Sequence, residues 1–101
     1  QRPTAVLVDN NQAGEGTVRA LLDAGLKLGS DVSAIIYDGV PHDTLFDPQD
    51  VTAVEQPTSY EAGEKLVDLM LSVLLGEPTD QLQVLWKPLI HPGRSDGPAP
   101  V

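Results

Sequence analysis

Residues 4–39 read TAVLVDNNQAGEGTVRALLDAGLKLGSDVSAIIYDG, and this stretch decides the fold. It opens on an apolar run, Thr4-Ala5-Val6-Leu7-Val8, that closes on Asp9-Asn10-Asn11. It ends on a second run, Val32 to Tyr37, that closes on Asp38-Gly39. Between them Ala13, Val18, Leu21, Leu22 and Leu26 recur near helical spacing. Short apolar runs rich in β-branched residues suit central strands covered on both faces. A strand–helix–strand unit of this kind crosses over right-handedly. In open parallel sheets, ligands bind beyond the carboxyl ends of the strands. The polar clusters after each run are therefore where ligand contacts are expected.

The local signals agree. Asn11 is the expected helix cap. Gly14 and Gly16 weaken the first turn, each by about 1 kcal/mol against alanine, but let a neighbour approach closely. Gly25 is the expected left-handed stop.

Downstream, Gly39, Pro41, Asp43, Asp47, Pro48 and Asp50 punctuate a loop of about a dozen residues, long for a compact domain. Leu45 and Phe46 lie inside it, either tucked onto the core or offered to a partner. Val51 to Glu55 reads as a short strand. Thr58 and Glu61 have capping-box spacing, and Ala62, Leu66, Leu69, Met70, Val73 and Leu74 form an apolar stripe, read as core. Gly76 and Pro78 end that helix. Leu82 to Trp86 reads as a last strand with Trp86 in the core, resumed at Leu89-Ile90. From His91 onward the Pro- and Gly-rich sequence predicts a loose tail. The order is β-α-β, long loop, β-α-β. Strands covered on both faces need more helices than these two, so the piece is expected to pack against more protein.

Composition narrows the function. The chain has 101 residues, 41% of them hydrophobic, which allows one small domain at most. Its 15 acidic and 6 basic side chains give a net charge of -9. That balance opposes direct binding to nucleic acid or to an anionic membrane surface. With no cysteine, thiolate metal sites and cysteine nucleophiles are excluded. No apolar run approaches the ~20 residues of a spanning helix. His42 and His91 lack ligand spacing, so no metal is expected, and no serine has a positioned base. The chain opens on Gln1 and leads straight into a strand, which reads as a fragment or a processed piece.

The ordered motifs of residues 4–39, Asp47-Pro48, Val54-Glu55-Gln56-Pro57, Glu61-Ala62-Gly63, Gly76-Glu77-Pro78 and Pro88-Leu89-Ile90 resemble the effector-binding core of LacI-family transcriptional regulators. The family pattern is an apolar strand, A-N-D-x-x-A, a helix ending x-A-G-L, a D-V-S strand and G-F-D-D. The resemblance implies an α/β fold of parallel-sheet βαβ units, part of a two-lobed periplasmic-binding-protein-like (type I) domain. Residues 1–50 and 80–92 would lie in its C-terminal lobe, the helix at 57–77 in its N-terminal lobe, and 93–101 in a flexible tail. It implies a non-enzymatic, cytoplasmic homodimer without cofactor that senses a small, sugar-like effector. DNA would be met only through a helix-turn-helix upstream of these residues, and no membrane is involved. Asn10 and Asp38 align with the effector-contacting positions. An amide and a carboxylate suit sugar hydroxyls. Glu15 stands where the family often has an apolar dimer-interface residue, and Leu45 and Phe46 are assigned to the same interface. Asn11 replaces the family Asp, and Gly39 replaces the second Asp of G-F-D-D.

Two alternatives remain open. A periplasmic sugar-binding protein of a transporter has the same architecture. A response-regulator receiver is a weaker match: VLVDNN, Asp38 with Pro41, and Lys87-Pro88 are similar to its landmarks. The carboxylate pocket needed for Mg²⁺ is reduced to Asp9 and Asn10.

Overall fold

The computed structural model describes residues 2–42 and 46–101. The chain divides into two units, one of Gln1–Glu55 with Pro88–Val101 and one of Gln56–Lys87.

The first unit is a four-stranded sheet with one helix. Strands β1 (Ala5–Val8), β2 (Ser33–Tyr37), β3 (Thr52–Glu55) and β4 (Leu89–His91) lie side by side in that order. β1, β2 and β3 are parallel, with Val8 opposite Ile36 and Ile36 opposite Ala53. Helix α1 (Asn11–Asp23) makes the crossover from β1 to β2. Residues opposite one another share a face of the sheet. Val8, Ile36 and Ala53 therefore look toward α1, and Val8 and Ile36 join Val18, Val40 and Val51 in the core. Fully burying an aliphatic side chain of this size stabilises the fold by roughly 1.5–3 kcal/mol. Gly14 is where α1 meets β2, since a β-carbon there would run into the Ile36 side chain. Gly16, two residues on, has open space around it. The expected close approach thus belongs to the first glycine alone.

Asn10, not Asn11, caps α1. Its backbone is extended, continuing the strand, and its Oδ1 accepts the Ala13 N–H at 2.8 Å. At the other end Gly25 takes φ 78° as expected, and its N–H and that of Leu26 donate to the Leu22 and Leu21 carbonyls. This double closure satisfies carbonyls that would otherwise be orphaned.

Four expectations need correction. β1 is an edge strand, not a central one, and only Val8 of its four residues is buried. The last strand is Leu89–His91, while 82–88 has no regular structure, and Trp86 is exposed. β4 runs antiparallel to β3, so the second half of the chain is not a parallel βαβ unit and the sheet is mixed. The expected loose tail is tied down through residue 97. Ser95 is fully buried, donating to the Ala34 carbonyl at 2.6 Å and accepting the Thr52 N–H at 2.8 Å. Thr52 Oγ1 bonds Asp96, and Gly97 N–H donates to Ser33 Oγ at 3.0 Å. This segment supplies partners to β2 and β3 where their own ladder is incomplete.

The second unit holds helix α2 (Ser59–Leu74) and a 3₁₀ turn at Thr79–Gln81. The capping box is present: the Glu61 N–H donates to Thr58 Oγ1 at 3.1 Å, and the Thr58 N–H to Glu61 Oε1 at 3.3 Å. No residue of α2 is buried. Leu66, Met70, Val73 and Leu74 of the expected core stripe are all exposed, Leu74 by 74%.

Candidate functional site

The parallel pairing of β1 and β2 carries both chain exits to one end of the sheet. Asp9 and Asn10 leave β1 there, and Asp38 leaves β2. A side-chain bond joins the two exits, as Asn11 Nδ2 donates to the Asp38 carbonyl at 3.2 Å. The structure thus places Asn10 and Asp38 on one rim, but the direct link runs through Asn11. Asn10 itself is engaged as the helix cap, and its Nδ2 donates to Asp9 Oδ1 at 2.8 Å. The cap is thus Asn10 and not the expected Asn11. Either residue can cap a helix; the helix begins at Asn11, which leaves Asn10 with the extended backbone of a cap.

Asp38 is the one non-glycine residue with positive φ among the described residues, at 64°. That conformation is costly for most L-residues and is tolerated best by Asp and Asn. It is held from both sides. The Asp38 N–H donates to the Val54 carbonyl at 2.9 Å, and the following Gly39 N–H donates to the Ile36 carbonyl at 3.2 Å. The Asp38 residue is exposed and lines a hollow of about 290 Å³ with His42, Gln49, Glu55 and His91 among others. Glu55 ends β3 as Asp38 ends β2, which the sequence pattern did not single out. His91 bridges toward both neighbours: Nε2 lies 3.2 Å from the Gln49 carbonyl and Nδ1 lies 3.8 Å from Glu55 Oε1. With Nε2 protonated, it donates to Gln49. The arrangement can hold hydroxyl groups through carboxylate and imidazole. Among the described residues, no three His, Asp or Glu side chains are grouped to hold a metal ion.

A second hollow, of about 170 Å³, lies along α1 and brings together two of the residues assigned to self-association, Glu15 and Phe46. Val18, Arg19, Leu22, Asp23 and Val40 complete it. Phe46 is partly buried and packs against the core, so it serves both readings of the loop, tucked in and lining a surface. Leu45 lies outside the described residues.

The family model described as a periplasmic binding protein-like domain matches residues 1–95. The chain belongs to the periplasmic binding protein-like domain family. Within that family it is similar to the HTH-type transcriptional regulator RafR of Escherichia coli, 36% identical over 92 residues, which is 90% of this chain and 27% of that protein. It is 32% identical over 83 residues to the lactose operon repressor of Escherichia coli K12, covering 82% of this chain and 22% of the repressor. A solved structure described as a transcriptional regulator from Yersinia pestis superposes with TM-score 0.87 at 39% identity, covering 98% of this chain and 35% of that one. The resemblance to LacI-family regulators is borne out, and so is the periplasmic-binding-protein-like α/β fold. The chain spans about a quarter of the length of the curated relatives named here. The relatives' names are those of transcriptional regulators, not enzymes. No helix among the described residues is long and apolar enough to cross a membrane.

Proposed function

We propose that this chain is the effector-sensing and dimerising part of a LacI-type transcriptional regulator, and that it binds a sugar-like small molecule at the rim carrying Asn10 and Asp38. The observation that carries the reading is the exposed Asp38 carboxylate, set in a left-handed conformation at the carboxyl end of β2 and opening onto a hollow. A buttressed backbone that aims a carboxylate outward suits a ligand with hydroxyl groups to donate. Asn10 supports the site from β1: with one N–H given to Asp9 and its oxygen to Ala13, its second amide N–H is the donor left for a ligand. The separation of residues 56–87 as their own unit supports assigning the helix at 57–77 to a second lobe. Glu15, Leu45 and Phe46 are assigned to the contact between two copies, supported by the hollow that Glu15 and Phe46 share.

In this reading the effector acts by population shift. It biases the arrangement of the regulator only by as much as it binds one state better than another. DNA contact belongs to a helix-turn-helix outside these residues, as the relatives' names suit, and the regulator works in the cytoplasm. Those names also favour a regulator over a periplasmic transport component.

The test is Asp38→Asn in the intact protein, titrated calorimetrically against a panel of neutral mono- and disaccharides. Asparagine keeps the left-handed backbone that alanine would strain, so the change isolates the charge. The expected result is binding of at least one sugar by the native protein and a loss of about 1.5–3 kcal/mol in the variant, as for a hydrogen bond to a charged group. Undiminished affinity, or no sugar bound at all, would overturn the site.

A further inference from the structure

The hollow that Asp38 lines has a second carboxylate. Tyr37 pairs with Val54, so Asp38 and Glu55 leave neighbouring parallel strands side by side, and both line the hollow with His91. Adjacent strands lie about 4.8 Å apart. Neither carboxylate accepts a hydrogen bond from another described residue. Asp9, Asp31 and Asp47 differ: each spends an oxygen on a nearby N–H, of Asn10, Lys27 and Gln49 in turn. Asp38 and Glu55 keep their acceptor positions for water or a ligand. Glu55 also has a neighbour to hold it. His91 lies opposite Ala53 in the pairing of β3 with β4, which puts it on the face of the sheet that Glu55 shares. Its side chain is 28% exposed, against 56% for Glu55. With Nε2 3.2 Å from the Gln49 carbonyl and Nδ1 3.8 Å from Glu55 Oε1, the imidazole is the fixed member of the pair and the carboxylate the freer one.

Charge decides what can sit there. No lysine or arginine occurs between residues 28 and 64 or between 88 and 93, the segments that supply every residue lining this hollow. The next cation along the chain, Arg94, lies 3.6 Å from Asp50. Phosphate groups are recognised by arginine and lysine. A phosphoryl group seated in a hollow of about 290 Å³ would meet two carboxylates within about a Debye length instead. Sugar hydroxyls, by contrast, donate to both. We propose that Glu55 is a second ligand-contacting carboxylate, that His91 positions it, and that Glu55 and Asp38 together make the site select uncharged sugars over their phosphate esters. The proposal rests on the effector reading above and adds the residue and the charge rule that narrow the ligand.

The experiment titrates the intact protein calorimetrically with glucose, galactose and sucrose and with the 6-phosphate of each. It is run at pH 8, where histidine side chains are mostly neutral. For a sugar that the native protein binds, the phosphate ester is expected to bind at least about tenfold more weakly, and added salt narrows that gap by screening. Glu55→Gln should weaken the uncharged sugar about tenfold and narrow the gap, and Glu55→Lys should turn the preference toward the phosphate ester. His91→Ala should weaken the uncharged sugar about threefold in the native background and have no further effect beside Glu55→Gln, because a positioning residue acts only through the group it positions. A phosphate ester bound as tightly as its parent sugar or more tightly, or native affinity in Glu55→Gln, would overturn the role of Glu55 and leave the Asp38 site standing. A His91→Ala loss that persists in full beside Glu55→Gln would overturn the positioning role. A native protein that binds none of the six compounds would remove the effector reading along with this one.

Discussion

The two units of this chain invert what their sequences lead one to expect. Helix α2 carries a long apolar stripe, yet none of its residues is buried. The sheet unit has short and irregular apolar runs, yet Ala34, Ile36 and Val51 are fully buried in it. Periodicity records that a helix has an apolar face. Burial records what lies against that face, and the second unit supplies nothing to cover it. α2 therefore stands on local devices: its capping box, the closure of its last turn by the Gly76 and Glu77 N–H groups, and its helix-forming residues. A lone helix of this length is marginal in water. The sheet unit instead stands on contacts between residues far apart in sequence, of which Ser95 with Ala34 and Thr52 is the clearest.

The contrast can be broken by mutation. The largest effect is expected at Ile36. Ile36→Ala empties a site in full contact with α1 and should cost about 2–5 kcal/mol in the chain's denaturant unfolding, whereas Leu74→Ala, on the exposed stripe, should change it by less than about 0.5 kcal/mol. Equal losses would show that the helix is as well packed as the sheet. A smaller effect is expected at Ser95→Ala, which removes a buried hydroxyl that both donates and accepts. A loss of about 1–3 kcal/mol is expected, with faster amide exchange at Thr52 and Ala34. Unchanged exchange would mean that the tail does not belong to the sheet unit. The smallest is expected at Thr58→Ala, with about 1 kcal/mol lost from α2 alone, read as reduced helicity while the Ile36 region keeps its protection. A loss spread over both units would show that they melt together.

Much of the fold was legible from residues. The β1–α1–β2 crossover, the capping box of α2 and the glycine stops all rest on interactions within a few residues, and local sequence specifies those. The misreadings share a cause. The composition of β1 suits burial at the centre of a sheet, but strand order is set by neighbours that composition does not name. β4 was expected to run parallel, but three residues carry no signal of direction. The tail after His91 has the composition of disorder, yet small residues there allow close contact: a β-carbon on Gly97 would collide with the Gly29 carbonyl. The candidate site was half legible. Asp38 could be named because strand ends meet ligands in parallel sheets, but Glu55 and His91 joined it only through the pairing of β3 with β4.

By itself the sequence determined that this chain makes a strand–helix–strand crossover with polar exits, because apolar runs, caps and turn glycines act over one or two turns of chain. The tertiary structure alone decided the strand order, the antiparallel return of β4, the anchoring of Ser95 and the meeting of Glu15 with Phe46. Those depend on which distant segments exclude water together, and no local pattern encodes that choice.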